Sequence, residues 1–79
     1  MPEITTFYEA VNPDTQKTKK YKIIQNSSGK YFKVFKYTGG FFHYSTLKEF
    51  LESEHSALQI IRADASRELG SSIFINKIN

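Results

Sequence analysis

The first half of the chain alternates. From Ile4 to Val11, β-branched and aromatic residues are interleaved with polar ones, and the run stops at the turn sequence Asn12-Pro13-Asp14. Lys17 to Gln25 repeats the alternation as a second strand, closed by Asn26-Ser27-Ser28-Gly29. Lys30 to Thr38 makes a third and ends at Gly39-Gly40, a pair suited to a two-residue hairpin turn at positive φ. Phe41 to Tyr44 reads as a short fourth strand.

After Tyr44 the period changes. Leu47, Phe50 and Leu51 share a helical face by the i, i+3, i+4 rule, with Thr46 as cap and Glu49 completing a capping box. A second helix places Leu58, Ile61, Ala65 and Leu69 on one stripe, with Ala57 and Ile60 beside it. Ser56 and Gln59 offer its capping box, and Gly70 its stop. A strand over residues 58–61 is the alternative, but the stripe continues for too long to favour it. Asp64 and Arg67 stand at i, i+3 with opposite charges. Ser72 to Ile78 closes the chain as a strand centred on Ile73-Phe74-Ile75. These elements predict an α+β fold: a four- or five-stranded, mostly antiparallel sheet in the order ββββααβ, with two helices packed on one face. Residues 1–79 leave room for a single small domain.

Turn chemistry also predicts a register. A loop at Asn26–Gly29 sets Gln25 opposite Lys30, hence Ile23 opposite Phe32, Tyr21 opposite Val34, Lys22 opposite Lys33 and Lys20 opposite Phe35. The glycine pair sets Thr38 opposite Phe41 and Tyr37 opposite Phe42. Alternation then sorts the side chains onto two faces. Tyr21, Ile23, Phe32, Val34 and Phe41 form the apolar face that the helices should cover. The other face gathers Lys20, Lys22, Ile24, Tyr31, Lys33, Phe35, Tyr37, Phe42 and Tyr44. Of these, Lys20, Lys22, Tyr31, Lys33, Phe35, Tyr37, Phe42 and Tyr44 are the candidate nucleic-acid-binding residues. Lysines attract phosphates, and aromatic rings on an open sheet stack on unpaired bases. Lys22 facing Lys33 would be a like-charge pair that a bridging anion relieves.

Charge points the same way. The net +3 is uneven: seven lysines stand against three acids in residues 1–40, and four basic side chains against five acids in the remainder. The first half is the part that favours an anionic partner, DNA or RNA. A protein partner or a homodimer is the alternative occupant of the same face, as in a small phage-type inhibitor or a regulatory domain. Lysine stems lying over tyrosine rings, or cover by residues 73–78, would make the face merely structural.

The remaining composition excludes more than it suggests. There is no cysteine, so neither a disulfide nor a thiolate site can form. His43 and His55 lack carboxylates at ligand spacing, and Glu49, Glu52 and Glu54 read as a solvated helix face. Ser27-Ser28 and Ser71-Ser72 have no evident base. The expectation is a non-catalytic binding module with no cofactor, no metal and no membrane partner. Neither a leader sequence nor a spanning segment is evident, which makes the cytoplasm the expected location.

Gly29-Lys30-Tyr31-Phe32-Lys33-Val34-Phe35 resembles the aromatic strand of ribonucleoprotein-type RNA-binding sheets, without their internal glycine or their βαββαβ order. Basic hairpins followed by Ser45-Thr46-Leu47-Lys48-Glu49-Phe50 resemble small DNA-binding domains that lay a three-stranded sheet in the major groove, such as the arm-binding domains of tyrosine recombinases. Both resemblances rest on common residues and imply a sheet used on nucleic acid.

Overall fold

Alternating residues in the first half do become strands, and the computed structural model describes them within residues 2–40 and 43–78. The described elements are β1 (Ile4–Asn12), β2 (Lys17–Gln25), β3 (Phe32–Tyr37), β4 (Tyr44–Leu51), α1 (Glu54–Leu69) and β5 (Phe74–Lys77). All pairings are antiparallel, and the lateral order is β4-β3-β2-β1-β5. Four strands therefore form a meander. Helix α1 then crosses one face from the β4 edge, and β5 joins the sheet outside β1 rather than lying over it.

The fold is α+β as expected, with one helix where two were expected. The helix assigned to Leu47, Phe50 and Leu51 is replaced by β4. Eight residues would give only about two helical turns, too few to hold without strong packing. Pairing with β3 satisfies the backbone instead. The helix-like apolar spacing is absorbed by two register irregularities, between Phe32 and Val34 and between Val34 and Phe35. These let Leu47 and Leu51 both pack on the core, while Phe50 takes φ 59° and is 69% exposed.

Both hairpin registers differ from expectation by two residues. Asn26 N–H donates to Tyr31 O at 2.9 Å, and the Asn26 Oδ1 accepts from the N–H groups of Lys30 and Tyr31. The first loop therefore closes one pair later, with Gly29 inside it at φ 75°. Gln25 faces Phe32, Ile23 faces Val34, and Lys22 faces Phe35. In the next hairpin Thr38 N–H donates to His43 O, and Tyr37 faces Tyr44. A slip of two preserves the side of every residue. Phe41 and Phe42, expected opposite Thr38 and Tyr37, lie outside the described residues.

The core lies between α1 and the inner sheet face. Tyr8, Ala10, Tyr21, Ile23 and Val34 from the sheet meet Ala57, Ile61 and Ala65 from the helix, with Ile73 closing one end. Small residues at 57 and 65 let the helix approach the sheet closely. Its cap is Ser53, whose hydroxyl accepts from Ser56 N–H at 3.1 Å, three residues before the expected cap. Gly70 stops it as expected, at φ 95°. Asn12 ties the other end, because its Nδ2 donates to Leu69 O while its Oδ1 accepts from Asp14 N–H at 2.9 Å.

One acid is buried in this core. Asp64, 4% exposed, accepts from Tyr21 Oη at 2.7 Å and from Arg67 Nη2 at 2.8 Å. Burial alone would raise its pKa. The hydrogen bonds from Tyr21 and Arg67, with the charges of Lys19 and Lys36, outweigh burial and hold the carboxyl below its ordinary value. Burial and the same carboxylate push the Tyr21 phenol well up.

Because the folded state binds the Asp64 proton less tightly than the unfolded chain, its contribution is complete above the unfolded pKa of about 3.9. That contribution is lost as pH falls through the lower folded value. Tyr21→Phe is expected to lower stability at pH 7 by about 1.5–3 kcal/mol, the usual worth of a hydrogen bond to a charged group. Urea melts at pH 7 and in acid check both: wild type should weaken below about pH 4, and Asp64→Asn should lose stability at pH 7 while showing a shallower acid limb.

Candidate functional site

The sheet has a second face. Among the described residues no element covers it, because α1 packs only on the side of Tyr8, Tyr21 and Val34. Alternation from the observed register assigns its members. Glu9, Val11, Lys20, Lys22, Ile24, Lys33, Phe35, Tyr37 and Tyr44 fall on it, with Phe74 beside Val11.

Most of the candidate residues come together. The Lys22 ammonium lies 4.2 Å from the centre of the Tyr44 ring and 5.1 Å from that of Phe35. Tyr37 meets Tyr44 edge-on at 5.4 Å, and its hydroxyl donates to Gly40 O, which fixes the ring at the sheet end. Burial first, and then the neighbouring Tyr37, raise the Tyr44 phenol above its ordinary pKa, so it stays a neutral donor near pH 7. Lys20 is exposed beside Tyr37 at the rim of a shallow groove that also contains Thr18.

Lys33 and Tyr31 lie toward the opposite end of β3. Lys33 faces Ile24 rather than Lys22, so the expected like-charge pair does not exist, and a bridging anion is not needed to relieve it. It stands 3.8 Å from Glu49, a loose, half-exposed pair that contributes little to stability. Tyr31 meets Phe50 edge-on at 5.8 Å. Phe42 lies outside the described residues.

Phe50 is a member that the helical reading hid. Its ring reaches the outer face through the backbone irregularity in β4, and a strand reading of 44–51 with a bulge is the only signal that would have found it. Phe74, central in its strand by sequence, is 62% exposed beside Val11. The lysines thus occupy the β2–β3 part of the face, and Glu9, Val11 and Phe74 the β1–β5 part. His55 lies elsewhere, on the helix, 3.5 Å from Gln59.

No protein-family model matches this chain, and no curated protein or solved structure matches it either. No helix among the described residues is long and apolar enough to cross a membrane.

Phe50 offers a local check. A bulky residue in the left-handed region is strained by about 1–2 kcal/mol, and glycine is not. Phe50→Gly should therefore melt close to wild type, relief of the backbone offsetting the lost Tyr31 contact. Phe50→Val should lose at least about 1 kcal/mol, since a β-branched residue fits φ 59° poorly.

Proposed function

We propose that the protein is a non-catalytic module that binds single-stranded nucleic acid on the sheet face opposite α1. One observation carries this reading: Lys20, Lys22 and Lys33 are collected on that face with the rings of Tyr31, Phe35, Tyr37, Tyr44 and Phe50. Rings on a sheet can stack only on bases whose own faces are free, which favours single strands over a duplex. Each such stack is worth about 1–3 kcal/mol. Three lysines neutralising phosphates give a log–log salt slope of about −2 on a single strand. Lys22 already rests on Phe35 and Tyr44, so a phosphate placed over those rings meets a cation held in position.

The competing reading is a protein partner or a second copy, and Phe74 with Val11 at the far end of the face favours it. Both are tested in one set of titrations. A fluorescent oligothymidylate should bind with the stated salt slope. Lys20→Glu with Lys22→Glu should weaken binding at least tenfold without unfolding the protein, and Glu49→Gln should tighten it slightly by releasing Lys33. Absence of salt-dependent binding, or a double variant that binds like wild type, would sink the nucleic-acid reading. A mass that rises with protein concentration and falls in Phe74→Ser would support self-association.

A further inference from the structure

A separate groove lies on the helix side of the sheet, between α1 and the β1–β5 edge. Its volume is about 300 Å³, at the small end for ligand sites. Half-buried Leu58 and Ile75, both packed on the core, form its apolar inner wall. Its rim carries His55, Gln59 and Arg62 from the helix and Lys77 from β5. Tyr8 enters from β1, directly opposite Lys77 in the strand register.

We propose that this groove binds a small monocarboxylate with an apolar body. Tyr8 carries the argument. It is only 4% exposed, yet it lines the groove, and its hydroxyl has no hydrogen-bond partner among the described residues. No polar side-chain atom is both fully buried and unpaired there, so the hydroxyl opens onto the groove. A nearly buried donor aimed into a cavity is costly unless water or a ligand meets it. Burial first, and then the charge of Glu54, raise the phenol's pKa, so it stays a donor near neutral pH.

The charge around the groove selects the ligand. Arg62 and Lys77 make no ion pair among the described residues, so both cations face the groove without an acid partner. Glu54, close enough to act on Tyr8, offsets one of them. The surplus of one positive charge matches a monoanion better than a dianion. A carboxylate can accept a two-point hydrogen bond from Arg62 and a third from Tyr8, while its apolar body lies on Leu58 and Ile75. This site is on the other side of the sheet from the lysine–aromatic face, and neither proposal depends on the other.

The probes are hexanoate and benzoate, titrated into isotopically labelled protein at constant ionic strength and followed by NMR. Saturable shifts should appear at Leu58, Gln59, Ile75 and Lys77 while residues 31–37 stay unchanged. Tyr8→Phe and Arg62→Gln should each weaken binding about tenfold, the loss of one charge-assisted hydrogen bond. The Arg62 variant alters only an exposed side chain, so it tests the site even if Tyr8→Phe disturbs the core. Equal binding of hexanol or benzyl alcohol would overturn the proposal. So would wild-type affinity in both variants, tighter binding of phenyl phosphate than of benzoate, or no saturation on the order of 10 mM.

Discussion

The hydrogen bond from Tyr21 to Asp64 joins the middle strand of the sheet to its only described helix. Tyr21 lies on β2, with β1 and β3 on either side, and Asp64 lies two-thirds of the way along α1. A carboxylate there would be ruinous if left alone, because burial penalises its charge. Tyr21, Arg67, Lys19 and Lys36 together reverse that penalty. The pair also fixes the rotation of the helix: only with Asp64 inward do Ala57, Ile61 and Ala65 meet Ile23 and Val34. Apolar packing supplies most of the attraction, and the buried polar pair restricts it to one docking.

One helix for five strands leaves an asymmetry. A 16-residue helix is about 24 Å long and covers one face; among the described residues the other has no layer above it. The uncovered face manages its apolar content through lysine. Lys22 lies over Tyr44 and Phe35, and Lys33 stands near Glu49, so rings are shielded by stems and charges stay wet. The edges are blunted as well: β5 has only four residues, and β4 is broken by two irregularities and carries Lys48 and Glu49. Guarded edges leave side chains, rather than open strand backbone, as what this face presents.

The two proposed surfaces use different chemistry. On the outer face, the proposed ligand is a polymer whose bases would stack on shallow rings and whose repeating phosphates would meet the lysines. On the inner side, a nearly buried phenol and two unpaired cations around a small apolar wall suit one compact anion. The sheet separates them: β1 and β5 line the inner groove with Tyr8, Ile75 and Lys77, while the lysines of the outer face come from β2 and β3.

Alternation along residues 4–12, 17–25 and 32–37 determined the strands and, through parity, which residues share a face. Both hairpin registers slid by two without moving Lys22, Lys33, Phe35 or Tyr37 to the other side, because the side-chain period of a strand is two. The stripe from Ala57 to Leu69 likewise determined the helix, since a period sustained over that length has no other regular solution. What followed only from tertiary structure were the features set by a partner distant in sequence. Residues 44–51 carry apolar positions compatible with a short helix, and the open edge of β3 made them a strand. Local spacing pairs Asp64 with Arg67, and only the fold brings Tyr21, 43 positions away, to its second oxygen. Local pattern decides which way a side chain points; what it meets is decided by the rest of the chain.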